Sequence, residues 1–206
     1  MKKIKPRREV ILMKRRMRWL VTLTLLAVVV VIWYYVDSNK PLDNDGTKEV
    51  GEVTEIDKVL NKDLEKSYPH TAREVIQLFI RIQKCYYNEK WSEEEFVKLA
   101  YKATELFDEE LKNANPFDEY YEELKTEVSQ YKDEKKIINR TILDKTSEIV
   151  YSTVEEQKYA SLNCTYYLKS ASGTSKVIET YILRKNEEDR WKILGWKEYE
   201  ESEWEQ

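Results

Sequence analysis

The sequence predicts a membrane-tethered α+β protein: an N-terminal transmembrane helix, then about three helices packed on a curved antiparallel sheet of about four strands. Three observations lead there. Residues 19–36 form an uncharged apolar run, apolar positions recur at helical spacing over residues 53–131, and from Ile137 onward they alternate.

Residues 1–18 form a basic tail in which nine basic residues stand against the single acid Glu9, a net of +8. Lys and Arg beside a span remain cytoplasmic, so Arg15, Arg16 and Arg18 orient the N-terminus inward. The run "WLVTLTLLAVVVVIWYYV" that follows would be about 27 Å long as a helix, close to the roughly 30 Å of a bilayer's hydrocarbon core. It is longer than the apolar core of a secretory signal and ends without a small-x-small cleavage site, so its retention as a signal anchor is expected. Trp19 at one end and Trp33, Tyr34 and Tyr35 at the other have the placement of interfacial aromatic belts. The lipid bilayer is thus the first expected partner, through residues 19–36.

Beyond the run the charge changes sign. With the tail set aside, 26 basic residues face 38 acidic ones, a net of −12, which argues against a nucleic-acid partner. The 170 residues from Asp37 to Gln206 suffice for one domain with a core. Residues 37–66 hold Pro41 and two of the four glycines, and read as a stalk ending in a short helix that carries Val53, Ile56, Leu60 and Leu64 on one side.

The extracytoplasmic domain is expected over residues 67–200, with residues 201–206 as an acidic tail. Thr71 with Glu74, and Ser92 with Glu95, have capping-box spacing, and Asn115 before Pro116 marks a third helix start. Val75, Leu78, Phe79, Ile82 and Tyr86 line the first helix; Phe96, Leu99, Ala103 and Phe107 line the second. Leu124, Val128 and Tyr131 line the third, together with Tyr120 or Tyr121. Such one-sided helices need a surface to cover. The second half supplies it. In "KYASLNCTYYLKS" the residues Ala160, Leu162, Cys164, Tyr166 and Leu168 point one way, and Tyr159, Ser161, Asn163, Thr165 and Tyr167 the other. "SASGTSK" turns this strand back into "VIETYILRK", and "NEEDR" turns that into "WKILGWKEYE". Upstream, "IINRTILDKTSEIVYSTV" makes one long strand or two short ones, kinked near Asp144 to Ser147.

Helices followed by a curved antiparallel sheet ending in "RWKILGWKEYE" resemble the nuclear transport factor 2-like, or cystatin-like, cone fold. More narrowly, "DLEKSYPHTAREVIQLFIRIQKCYYNEKWSEEEF", with "NPF" before the third helix, is similar to an uncharacterised family of single-pass membrane proteins from clostridial bacteria. The similarity covers roughly residues 60–200 and implies a fold but no site residues. The order of cytoplasmic tail, one span and cone-fold domain also resembles the scaffold subunit of bacterial type IV secretion and conjugation machines, an analogy of architecture.

Chemistry-bearing motifs are sparse. His70 is the single histidine, at a predicted helix start, and no GxSxG, HExxH, P-loop or GxGxxG occurs. Cys85 and Cys164 fall on inward positions as buried thiols, with a helix-to-sheet disulfide as the alternative. Cone-fold enzymes hold an acid-base carboxylate and tyrosines inside the concave sheet. Here Tyr166 is offered with Tyr151 or Tyr181, but no acid, Glu179 included, is singled out by an apolar setting. No catalytic, cofactor-binding or metal-binding residue is therefore assigned. In the tyrosine pairs at 86 and 87, 120 and 121, and 166 and 167, one member is expected in the core and the other partly exposed. Trp191 and Trp196, five apart on the last strand, take opposite faces unless a bulge at Gly195 resets the phase, and one of them is the expected contact residue.

These features point to a cell-membrane protein with a cytoplasmic N-terminus and an extracytoplasmic domain that binds or scaffolds, its partner an envelope protein or a second copy. A subunit of a type IV secretion or conjugation-like complex is one alternative. A cone-fold small-ligand receptor or enzyme is the other, and it requires an open cavity holding a carboxylate within apolar walls. For the topology, protease added to intact cells is expected to remove the C-terminal part. Survival of that part, or its release with a new N-terminus near residue 37, counts against a retained anchor.

Overall fold

The structure, a computed structural model, describes residues 53–199. The expected basic tail, transmembrane helix, acidic tail and most of the stalk lie outside the described residues, and with them Arg15, Arg16, Arg18, Trp19, Trp33, Tyr34 and Tyr35. Among the described residues no helix is long and apolar enough to cross a membrane.

Helices come first in the chain and a curved antiparallel sheet follows, the expected α+β order. The helices are α1 (Glu55–Leu60), α2 (Ala72–Asn88), α3 (Glu93–Thr104), α4 (Glu109–Ala114) and α5 (Phe117–Asp133). The strands are β1 (Ile137–Leu143), β2 (Val150–Val154), β3 (Gln157–Ser170), β4 (Gly173–Lys185) and β5 (Trp191–Glu198).

Two helix starts follow from their capping boxes. The Thr71 hydroxyl accepts from the Glu74 amide at 3.1 Å while the Glu74 carboxylate accepts from the Thr71 amide at 3.2 Å. Ser92 and Glu95 repeat the arrangement at 3.3 and 2.7 Å. The third start differs. Asp108 caps an unforeseen short helix, α4, by accepting from the Glu110 amide at 3.0 Å, and Asn115 ends that helix rather than starting the next. Its side-chain amide donates to the Leu111 carbonyl at 3.0 Å, and Pro116 becomes the N-cap of α5.

α2 is the central helix, packing against β1, β5, α1, α3 and α5. That position explains why Ile76, Ile80 and Tyr87 are buried as well as the expected face of Val75, Leu78, Phe79, Ile82 and Tyr86. Tyr86 and Tyr87 are both core residues, against the expectation for that pair; Tyr120 and Tyr121 are both half-buried, while Tyr166 is buried and Tyr167 only half-buried. α1 contributes Ile56 and Val59 to the same core, so its helix is part of the domain.

β3 and β4 form a long hairpin, β5 extends it on the β4 side, and β1 and β2 share the outer edge of β3. The edge is interrupted at the foreseen place. Asp144 bridges the gap: its amide donates to the Asn163 carbonyl at 3.0 Å and its carboxylate accepts from the Asn163 amide at 2.7 Å, ahead of a 3₁₀ turn at Thr146–Glu148. At the other end of β1, the Asn88 side chain donates to the Ile138 carbonyl and accepts from its amide, both at 2.9 Å, so the end of α2 holds the strand.

The helical layer is tied to the far edge of the sheet by the segment between α3 and α4. Phe107 forms a parallel bridge with Ile193, with hydrogen bonds of 2.8 Å from Asp108 to the Ile193 carbonyl and from Ile193 to the Leu106 carbonyl. Asp108 is buried and receives a forked contact from Arg184 of β4, at 2.5 and 3.1 Å. Arg184→Ala leaves that carboxylate buried and unpaired, and is expected to cost about 3 kcal/mol in denaturant unfolding. A loss no larger than that of an exposed-surface substitution would mean that the pair does not join helices to sheet.

Candidate functional site

Residue parity along the β3–β4 hairpin builds the site. Ala160 pairs with Leu183, Leu162 with Tyr181, Cys164 with Glu179 and Tyr166 with Val177. All of these β3 residues are buried, so their β4 partners face the helices too. A glutamate thereby stands in an otherwise apolar column, beneath α2 and α5.

There it borders a cavity of ≈ 330 Å³. α2 contributes Phe79, Gln83 and Tyr87, α5 contributes Glu123, Glu127 and Tyr131, and Trp196 of β5 joins the wall. The aromatic rings support one another: Trp196 lies 5.5 Å from Phe79, 5.8 Å from Phe107 and 6.1 Å from Tyr181, and Tyr87 lies 4.4 Å from Tyr131.

A chain of hydroxyls runs from the carboxylate into the core. Tyr181 donates to Glu179 in a very short contact, the Tyr166 and Tyr181 hydroxyls are 2.7 Å apart, and Tyr166 donates to the side-chain oxygen of Gln83 at 2.8 Å. Protons can be counted along it. With Glu179 ionised, both phenolic protons are committed and the contact between the two tyrosines has none. A protonated Glu179 completes the chain, donating to Tyr181, which donates to Tyr166, which donates to Gln83. Rotating the Gln83 amide to present its NH₂ reverses every donor and suits the carboxylate. The network thus accommodates both charge states.

Electrostatics shift the balance toward the protonated state. Burial raises the Glu179 pKa above the ordinary 4.5, outweighing the hydrogen bond from Tyr181, which favours the charged form; Glu127 and Glu198 push it further up. Glu198 is its register partner on β5. On α5, Glu127 accepts from the Tyr87 hydroxyl at 2.9 Å.

Cationic groups lie elsewhere. A second groove, of ≈ 580 Å³ beside α2 and β1, is lined by Lys62, Arg73, Arg81 and Lys84 among others. His70 lies there, exposed, and its backbone amide donates to Glu74 at 2.8 Å.

Residues 1–196 match a protein family described as a domain of unknown function, DUF6715. The chain belongs to the DUF6715 family. No curated protein matches it. The DUF6715 match spans the basic tail and the apolar run as well as the folded domain.

In this DUF6715 chain the two expected contact residues part company. The β4–β5 register shifts between Ile182 and Leu183, so that Leu183 pairs with Ile193 and Tyr181 with Trp196. The bulge next to Gly195 therefore brings Trp191 and Trp196 to the same inner face. Trp191 is buried against Tyr151 at 5.7 Å and carries the Tyr68 hydrogen bond on its carbonyl, at 2.8 Å. Trp196 is 39% exposed, and it lines the cavity. Cys85 and Cys164 are buried free thiols, each with its pKa pushed up to about 12 by burial. Tyr166 and Tyr181 meet as the sequence offered them, whereas Tyr151 stands apart with Trp191. Glu179, Gln83 and Glu127 were not foreseen as a group. The signal that finds Glu179 is its parity, two residues from Tyr181 and four from Leu183.

A raised folded-state pKa means that Glu179 favours folding fully below the unfolded value and loses that contribution as pH rises through the folded one. Glu179→Gln keeps the shape without the charge. In denaturation series it is expected to gain stability over the wild type progressively as pH rises above about 4.5, and to match it below. A difference that does not vary with pH would mean that the carboxyl is not titrating in a buried site.

Proposed function

We propose that this chain is a membrane-anchored extracytoplasmic receptor module whose cone-shaped domain binds a small ligand. The carrying observation is the ≈ 330 Å³ cavity with a carboxyl group set among aromatic walls. That volume lies at the lower end of the range typical of small-molecule sites, and the mixture of apolar lining with a few convergent polar groups is the usual composition of such sites. A sheet meander whose concave face receives the helices supports the nuclear transport factor 2-like assignment, in which the interior of the cone is the binding space. The anchor is carried by the uncharged run of residues 19–36 beside a tail of net charge +8.

A protein-binding role has its own support in β2. This short strand pairs with β3 and exposes Val150 and Val154 on its outer face, a surface that suits an envelope partner or a second copy.

The test of the receptor reading fills the cavity. Val177 lines it and is half-buried. In a fragment screen on the full chain in non-ionic detergent, the wild type is expected to give ligand-dependent melting shifts of about 2–4 °C, and Val177→Trp to give none. A wild type that responds to no compound class, or a variant that responds equally, removes the pocket from consideration.

A further inference from the structure

The charged side chains that line the cavity, among the described residues, are all of one sign. Among the described residues Glu123, Glu127 and Glu179 line it, and no lysine, arginine or histidine does. Glu198 adds a fourth carboxylate beside Glu179 across the β4–β5 ladder. None of the four forms an ion pair among the described residues.

Among the described residues the two innermost acids have phenol partners, Tyr87 on Glu127 and Tyr181 on Glu179. Phenols satisfy carboxylate lone pairs but supply no counter-charge, so the site penalises its own ionisation. An anionic ligand would deepen that penalty. A metal ion does not fit the donor set, because among the described residues no three His, Cys, Asp or Glu side chains are grouped closely enough to hold one. What fits is a cation that brings its own apolar body. The rings of Phe79, Phe107 and Trp196 attract such a charge, whereas Lys136 already lies 4.7 Å over the Tyr131 ring, and attraction of this kind strengthens where water is excluded.

We propose that the cavity takes a small organic cation, an ammonium group on an apolar or aromatic body, with its charge toward Glu127 and Glu179. This rests on the receptor reading and names its ligand class. Where Glu179 carries its proton, binding is an exchange: the carboxyl O–H breaks, the proton passes to solvent, and the ligand's positive charge takes its place beside the carboxylate. The Gln83 amide then turns, and the tyrosine chain donates toward Glu179. Affinity consequently rises with pH from the ordinary carboxylate range upward. The groups facing Glu179 are Gln83 and Tyr87 on α2, Glu123, Glu127 and Tyr131 on α5, Cys164 and Tyr166 on β3, Tyr181 on its own strand and Glu198 on β5. Burial pushes Cys164 and Tyr131 up to about 12, so neither of them exchanges a proton in this window.

Calorimetry on the full chain in non-ionic detergent tests this with three probes of similar size: benzyltrimethylammonium, benzyl alcohol and phenylacetate. At pH 7 the cation is expected to bind at least about tenfold more tightly than either of the others. Glu179→Gln should weaken it by about tenfold or more while leaving benzyl alcohol unchanged, with folding of the variant verified by its melting transition. At pH 4.5, where the raised pKa keeps Glu179 mostly protonated, two buffers of different ionisation enthalpy should report more proton release from the wild type than from Glu179→Gln. Benzyl alcohol or phenylacetate binding as tightly as the cation, or proton release undiminished in the variant, overturns the cation assignment and leaves the receptor reading standing. Failure of all three probes on the wild type overturns both.

Discussion

Twelve consecutive residue pairs join β3 to β4, from Tyr159 with Arg184 to Ser170 with Gly173, and each step along the ladder changes the face presented. Because Ala160, Leu162, Cys164, Tyr166 and Leu168 must be buried, the ladder leaves no freedom to β4: Val177, Glu179, Tyr181 and Leu183 go inward with them. A slip of one residue would turn Ile178 and Ile182 in and Glu179 out, relieving the buried carboxyl but exposing Tyr181 and Leu183. The register that holds the core together is the same one that places an acid inside it.

The remaining structure adapts to that acid. Tyr181 and Tyr166 carry its hydrogen bonding to Gln83, on the central helix, so the polar chain ends on the element most deeply packed in the domain. Aromatic side chains surround the space that remains. The β5 bulge adds the last of them, since without the reset at Leu194 and Gly195 Trp196 would point away from Phe79 and Phe107. Gly195 has open space around it, so close packing does not require a glycine there.

The fastenings between helices and sheet flank the cavity. The Asp108–Arg184 fork and the Phe107–Ile193 bridge fasten the helical layer to β4 and β5, and Asn88 fastens α2 to β1. Anchoring at both sides of the sheet lets the space between α2, α5 and the hairpin stay unfilled without loss of the fold. Rigid attachment on both sides with a buried, hydrogen-bonded acid between them is the division that a site of the proposed kind would use.

Much of the architecture was legible because it rests on local physics. Capping boxes at Thr71 and Ser92 pair backbone amides within four residues, and the alternation in β3 is unambiguous, so both could be read directly. α4 escaped notice because it is a six-residue helix with no buried residue of its own, and its cap, Asp108, is also the partner of a distant arginine. The site was legible only in part. Tyr166 and Tyr181 could be named from β-strand parity, and a bulge at Gly195 could be foreseen as a way to rephase the tryptophans.

By itself the sequence determined the order of helices and strands, the inward face of β3 and the segregation of basic charge into the first 18 residues, since each follows from spacing or composition along the chain. It did not determine the face of β4. In "VIETYILRK" both parities carry apolar residues, Val177, Tyr181 and Leu183 on one and Ile178 and Ile182 on the other, so no local pattern separates them. Only pairing with β3 breaks the tie, and only the approach of α2 and α5 turns an inward glutamate into a cavity wall. Burial, and with it the state of the Glu179 proton, depends on groups far apart in sequence, which meet through tertiary structure alone.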